Sequence, residues 1–509
     1  MIRRGRDLRG DVVLDADAVV VGTGAGGGMA MRELARAGLD VVALEAGGHH
    51  GPADFDQREE SMLPMLFEEA GARTTHDRAI RVLQGRGVGG STVHNTNLCK
   101  RTPPELLELW ERRHGVSGCG PADLAPVFDE VERDLSVAEI AETLRNPNNR
   151  VLERGVRALG VRGGPLRHNR VGCRQSGFCE LGCAYDAKQN SLKVLVPQAL
   201  ASGRATLLSD TRADRIEHDG DGVRGVRATA CDARGAEVAS VTVRARVVVL
   251  AASATGSAAL AWRSALPDPH DRLGRGLHLH PGAAVAGVFD ERIDGFAGIP
   301  QSYECTEWLD FAEASDRRVW ITTVFAHPVG TAAAMPGFGA AHTALMRQYP
   351  HLAVLVAMVH DRSEGRVEID AEGFPVLRYT LGLRDREQLA TGLRGGARLL
   401  LAAGAREVVV PSATPLRVRC EADLDAIGPW LGEPHAMPLT AVHPMGGMCL
   451  GDDPHASVVA STGEHHQVRG LFALDASLFP TSIGVPPQLS IYAFARHLAR
   501  HAVERARAR

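Results

Sequence analysis

A chain of 509 residues, 44% hydrophobic, has apolar surface for more than one large core, and its 56 glycines suit an α/β protein rich in tight turns. The net charge of −4 carries no basic excess, which excludes a nucleic-acid footprint. No apolar run reaches the roughly eighteen residues that a membrane span requires, so no integral membrane segment is expected.

Met1–Arg6 is basic and could imitate the start of a signal peptide, but the next apolar run, Ala18–Val21, leads straight into a glycine loop and is needed as a strand. The chain is therefore read as cytoplasmic. Asp17–Val21 reads as a buried parallel strand, Gly22-Thr23-Gly24-Ala25-Gly26-Gly27-Gly28 as a loop, Met29–Ala37 as a helix stopped by Gly38, and Leu39–Leu44 as a second strand. In this setting Gly22 permits a tight turn, Gly24 lets the backbone approach a pyrophosphate, and Gly27 lets helix pack on strand. The helix start supplies free amides and a positive dipole end. Glu45, 23 residues after Gly22, is placed to accept hydrogen bonds from the hydroxyls of an adenosine ribose. The loop alone does not separate FAD from NAD.

A second glycine-rich block, Gln84-Gly85-Arg86-Gly87-Val88-Gly89-Gly90-Ser91-Thr92-Val93-His94-Asn95, frees backbone amides at Gly89, Gly90 and Ser91 for close approach to a cofactor, and Asn95 can hydrogen-bond a flavin edge. Residues 103 to about 165 read as helical, with Thr102-Pro103-Pro104-Glu105 as a start. Thr206–Leu208, Ala213–Ile216 and Val223–Ala228 read as short alternating strands leading to a returning strand, Val241–Leu250. From 282 to 440 the texture changes. Strands are expected at Ala283–Phe289, Val319–Phe325 and Leu352–Val359, a hairpin at Gly365–Asp370 and Pro375–Tyr379, and a long helix at Arg384–Ala403. The last block is His443-Pro444-Met445-Gly446-Gly447, then Asp475-Ala476-Ser477-Leu478-Phe479-Pro480-Thr481 and Pro486-Pro487-Gln488.

These blocks, with Val247–Ser257 and Leu273–Pro281, fall in one order over nearly the whole chain, and in that order the chain resembles the glucose–methanol–choline (GMC) family of FAD-dependent alcohol oxidases and dehydrogenases. The resemblance implies an α/β protein: a Rossmann-like FAD-binding domain with an inserted α+β substrate domain built on an antiparallel sheet. The expected division is 1–281 for FAD binding, 282–440 for substrate binding, and 441–509 for a return to the FAD domain. It also implies that His443 is the base taking the hydroxyl proton of a small-molecule alcohol (a sugar, cyclitol, polyol or aliphatic alcohol), and that Asp475, Ala476 and Gln488 hold the flavin. In some relatives a histidine at the place of His94 is bonded covalently to the flavin. One departure stands out. Many members carry asparagine or histidine where this chain has Pro486, and proline offers no side-chain donor and no amide hydrogen. His278 and His280, in the turn before Pro281, are read as structural.

Cys173, Cys179 and Cys183 cluster in the segment 165–195, where Gly172, Gly177 and Gly182 leave the backbone supple. Two readings stand. Three thiolates suit a [3Fe-4S] cluster, with a spacing similar to that in membrane-associated glucose dehydrogenases of the family, and electrons would then leave to an acceptor protein or a quinone. Long-chain alcohol oxidases carry a comparable segment without that implication, and electrons would then pass to oxygen. A non-oxidative or inactive flavoprotein on the same fold is the remaining alternative.

Overall fold

A computed structural model describes residues 1–325, 327–413 and 415–508. Its first layer is a parallel sheet. Five strands are supplied early: β1 (Ile2–Arg4), β2 (Ala18–Val21), β3 (Val41–Leu44), β4 (Ala205–Ser209) and β5 (Val247–Leu250). Strands β2, β3 and β5 are buried at every position, as a sheet covered on both faces demands. The spatial order is β1-β4-β3-β2-β5, closed by the late strand Leu471–Ala473 beside β5. The two ends of the chain thus meet in one sheet. Helix α1 (Ala25–Arg36) follows β2 and begins four residues earlier than the sequence suggests, taking in Gly26, Gly27 and Gly28. Glycine is a poor helix former, but here it is required: a Cβ on Gly26 would sit 1.8 Å from the Leu474 carbonyl oxygen and one on Gly27 1.9 Å from that of Gly22.

The stretch read as one strand, Val241–Leu250, is two. Glu237–Arg244 belongs to a separate four-stranded sheet with Thr211–His218, Val223–Cys231 and Val12–Asp15, and the chain crosses to β5 at Ala245-Arg246. The burial pattern changes there from alternating to continuous, as expected on passing from a sheet with one wet face to a fully covered one.

The inserted sheet is antiparallel through its centre. Strands β6 (Gly282–Val288), β7 (Val319–Thr323) and β8 (Leu352–Val359) pair in the order β6-β8-β7, and the sheet also recruits Gly163–Pro165 at its far edge and Ile80–Val82 through Leu439–Ala441. Period-two alternation sorts its side chains. Val285, Val319, Ile321, Leu355 and Ala357 pack with Leu389, Leu393 and Ala397 of α2 (Leu383–Ala402) in one core. Ala284, Trp320, Val356 and Met358 face the other way and line a cavity. Burying a side chain of this size contributes about 1.5–3 kcal/mol, so both faces of this sheet hold it in place. The chain ends in α3 (Gln488–Arg507), packed on α1. Among the described residues no helix is long and apolar enough to cross a membrane.

Candidate active site

A single cavity of about 1210 Å³ runs from the loops of the parallel sheet to the underside of the inserted sheet. At the first end it is lined by Gly22, Gly24, Gly90 and Ser91. Gly89 and Gly90 have φ of 97° and 51°, left-handed values that favour glycine. A Cβ on Gly90 would lie 3.0 Å from Gly24 Cα, so any side chain there would close the slot between the two loops. Gly24 is also the N-cap of α1, whose first amides are unpaired within the helix. Gly89 N donates to Thr23 Oγ1 at 3.1 Å, and Gly85 N to Ser91 Oγ at 2.8 Å. A glycine-walled slot at a helix start fits a pyrophosphate.

Glu45 lines the cavity but is busier than the sequence suggests. Its carboxylate accepts from Thr23 N (3.1 Å), Thr23 Oγ1 (2.8 Å), Gly47 N (3.1 Å) and Gly87 N (3.2 Å), clamping three loops together. Burial raises its pKa and these bonds oppose the rise. A ribose hydroxyl would share or displace one of these donors.

The middle of the cavity joins distant parts of the chain. Asn95 Nδ2 donates to Gln488 Oε1 at 2.7 Å, and Gln488 Nε2 donates to Leu98 O at 2.6 Å. Gln488 is the first residue of α3, so a positive helix end faces the cavity there. Asp475 Oδ2 accepts from Ser257 Oγ at 2.6 Å and Oδ1 from Ser477 N at 2.8 Å, while burial raises its pKa against those bonds. Ala476 opens a 3-10 turn, Ala476–Leu478, and lines the cavity beside Asp475. His94 also lines it. Its ring lies 4.0 Å from that of Phe67, its Nε2 has no hydrogen-bond partner, and burial followed by the charge of Lys188 lowers its pKa to about 3.

His443 stands where the cavity meets the inserted sheet. Burial, followed by the neighbouring His280, holds its pKa well below the usual histidine range, so the ring is neutral at neutral pH. Its Nδ1 is 3.0 Å from Nδ1 of His280. One of those nitrogens must carry hydrogen. If His443 Nε2 is to accept a proton, the ring's own hydrogen is on Nδ1 and donates to His280 Nδ1. His280 therefore contacts the candidate base directly, which corrects its reading as merely structural. It is itself tightly held. Its φ is 51°, its backbone N donates to Asp361 Oδ1 at 3.1 Å, and burial lowers its pKa to about 4. Asp361 accepts further bonds from Leu279 N at 3.0 Å and Tyr379 Oη at 2.8 Å. Burial disfavours its charge, but the His278 contact and the Leu279 amide outweigh that and lower its pKa. The sequence held no signal for the His280–His443 pair, whose members lie 163 residues apart. Pro486 lines the cavity as expected and brings no donor.

The three cysteines do not come together as a ligand set. Among the described residues no group of three or more His, Cys, Asp or Glu side chains is placed to hold a metal ion. Each sulfur instead accepts locally: Cys173 from Gln175 N (3.4 Å), Cys179 from Asn97 Nδ2 (3.7 Å) and Cys183 from Ala187 N (3.3 Å). Burial, with Cys173 and Cys183 adding to it against Lys188, pushes the Cys179 thiol up to about 11. The described side chains are thus not arranged as a [3Fe-4S] ligand set. The segment builds a wall instead. Phe178 stacks on His327 at 4.7 Å, and the buried Lys188 ammonium donates to Val93 O (2.8 Å), Asn95 O (2.5 Å) and Cys179 O (2.9 Å), tying this wall to the loop that carries His94.

A two-loop dinucleotide slot continuous with a histidine pair suits a dinucleotide-dependent oxidoreductase. The sequence patterns described as GMC oxidoreductase match residues 63–282 and 361–495. An uncharacterized GMC-type oxidoreductase of Mycobacterium tuberculosis is 36% identical over 96% of this chain and 76% of its own. Long-chain-alcohol oxidase FAO4B of Arabidopsis thaliana is 29% identical over 93% of this chain and 65% of its own. Among solved structures, pyridoxine 4-oxidase from Mesorbium loti superposes with a TM-score of 0.71 at 20% identity, covering 95% of this chain and 98% of that one. The chain belongs to the GMC oxidoreductase family. It is an FAD-dependent oxidoreductase acting on CH–OH donors.

Proposed function

We propose that the protein oxidises a primary or secondary aliphatic alcohol to the carbonyl, with His443 as the base. The observation that carries this reading is the neutral, half-buried His443 under an apolar roof. Among the described residues its Nε2 has no hydrogen-bond partner while its Nδ1 is engaged by His280, and Ala284, Trp320, Val356 and Met358 line the cavity overhead. FAD, when bound, supplies the hydride acceptor. His443 takes the hydroxyl proton at Nε2, and the proton on Nδ1 stays in the bond to His280, which steadies the imidazolium. Gly24 and Gly90 would hold the pyrophosphate, Asp475 and Ala476 the phosphate–ribityl stretch, and Asn95 with Gln488 the pyrimidine edge. Residues 1–281 and 441–509 bind the cofactor in this reading, and 282–440 roof the substrate. The unpaired Nε2 of His94 is the atom that would carry a covalent link to the cofactor, read out as flavin in the pellet after acid precipitation.

The apolar roof and the relatives named long-chain-alcohol oxidases support an aliphatic substrate over a sugar or cyclitol. Those names, together with the scattered cysteines, support oxygen as the electron acceptor and hydrogen peroxide as the second product. The test is anaerobic mixing of the holoenzyme with n-alkanols while the visible flavin absorbance is followed. Bleaching is expected, with peroxide on admitting air. His443→Asn is expected to keep its flavin and reduce it about 10²–10⁴-fold more slowly. Flavin that no alcohol bleaches would sink the reading.

A further inference from the structure

Beyond His443, His280 and His94, the side chains of His327 and Glu180 line the cavity without a hydrogen-bond partner among the described residues. His327 is 5% exposed, lines the cavity, and has no hydrogen-bond partner among the described residues at either ring nitrogen. Its ring is held in place, stacked on Phe178 at 4.7 Å and edge-on to Phe325 at 5.6 Å. Glu180, two residues beyond Phe178, is half-buried, lines the same cavity and makes no hydrogen bond or ion pair with the described residues. Burial pushes its pKa up to about 7, with Lys188 opposing and Glu59 adding to the rise.

Neither neighbour can relieve these groups. Glu59 already caps the helix Pro328–Ala334, accepting from Val329 N at 2.7 Å and Gly330 N at 2.8 Å. Lys188 is spent on three backbone carbonyls. Buried polar groups are almost always paired, so the buried His327 ring, with the half-buried Glu180 lining the same cavity, is placed for a ligand to pair. Glu180 only accepts in its ionised form, which a donating or cationic ligand would favour, and a neutral imidazole offers one acceptor beside its donor. What suits both is a group with hydrogens to give. The roof near His443 is apolar, so the polar group belongs on another part of the substrate than the carbon being oxidised.

We infer that Glu180 and His327 form a subsite for a second hydrogen-bond-donating group of the substrate, a hydroxyl or primary ammonium joined to the oxidised carbinol by an apolar chain. The inference rests on the alcohol-oxidising reading above and narrows its substrate class to diols and amino alcohols.

The test is flavin reduction in the anaerobic holoenzyme by n-alkanols, α,ω-diols and ω-amino-n-alkanols of matched chain lengths. At the best length, kcat/KM for a diol or an amino alcohol should exceed that of the alkanol by about tenfold or more, because a site built to pair a polar group rejects the analogue lacking it. A larger gain for the amino alcohol identifies an ammonium, and a larger gain for the diol a hydroxyl. Glu180→Leu and His327→Phe, the second keeping a ring to stack on Phe178, should each bring that ratio toward one. A wild-type ratio near one, or a ratio unmoved in both variants, overturns the inference. If no alcohol reduces the flavin, the alcohol reading fails by itself. The subsite is then read from the Kd of an n-alkylamine, obtained by perturbation of flavin absorbance: a Kd raised about tenfold or more by Glu180→Leu sustains it, and an unchanged Kd discards it.

Discussion

The two ends of the cavity are built by opposite means. At the dinucleotide end the work is done by backbone: Gly22, Gly24, Gly26, Gly27, Gly89 and Gly90 remove side chains so that loops, a helix start and a strand can approach closely. At the reacting end it is done by side chains stripped of solvent. His443 and His280 lie 3.0 Å apart with depressed pKa values, above an Asp361 that gathers two backbone amides and a tyrosine hydroxyl. The first kind of site tolerates no added atom. The second tolerates changes of shape but depends on which proton sits where.

The sharpest way to expose this difference is Gly26→Ala. The new Cβ would meet the Leu474 carbonyl at 1.8 Å, and neither partner is the free end of a side chain. Helix α1 would have to leave the turn into Asp475, and the slot between Gly24 and Gly90 would go with it. The variant is expected to be insoluble or colourless, measured as flavin per polypeptide. Gly51→Ala, where nothing lies within 4 Å of the added atom and φ is −118°, should keep full flavin content and the parent Tm. Equal flavin in the two variants would erase the distinction drawn between the ends.

At the reacting end the informative change is His280→Asn. Without His280, the Nδ1 hydrogen of His443 loses its acceptor and the ring its orientation, and displaced catalytic groups of this kind cost about 10–100-fold in rate. His280 acts here as a positioning residue, so a pH profile is needed to separate it from a structural loss. On the proposed mechanism His443 works as the neutral ring, and its lowered pKa keeps it neutral into acid, so the acid limb of the wild-type kcat/KM profile should lie below the usual histidine range of about 6.5. Removing His280 removes one of the two causes of that depression, the smaller one, so the limb should move toward higher pH while burial keeps it below the ordinary value. A slower enzyme with an unmoved limb would reduce His280 to packing.

The same contrast governs what could be read from the sequence. The dinucleotide end was legible because its logic is local: strand, glycine loop, helix and a glutamate at fixed spacing each impose a backbone conformation on their own neighbours. The start of α1 was misjudged only because glycine's poor propensity argues against the helix that tertiary packing demands. The reacting end was half legible. His443 is marked as a candidate by its block, whereas its contact with His280 exists only once residues 163 apart are brought together. Glu180 and His327 carried no signal, since being unpaired is a property of an environment and not of a residue. The cysteines were the reverse case, a spacing with clear chemical meaning whose sulfurs the fold directs to separate local donors.

That last point gives the smallest expected effect. If the segment around Cys173, Cys179 and Cys183 is a wall of the cavity, its strength lies in Phe178 against His327, in Gly177 lying where a Cβ would meet Phe325 at 2.7 Å, and in Lys188 bonded to three carbonyls, with the thiols contributing little. Replacing all three cysteines by serine exchanges weak sulfur acceptors for hydroxyls of similar size. Flavin content should stay at the wild-type level and the rate of flavin reduction within about threefold, because the altered atoms touch neither His443 nor the roof. Lys188→Met, by contrast, strips the only ammonium from carbonyls on both sides of the His94 loop and should lower both quantities. Loss of bound iron together with loss of turnover in the serine variant would restore the metal-ligand role that the arrangement of the sulfurs argues against.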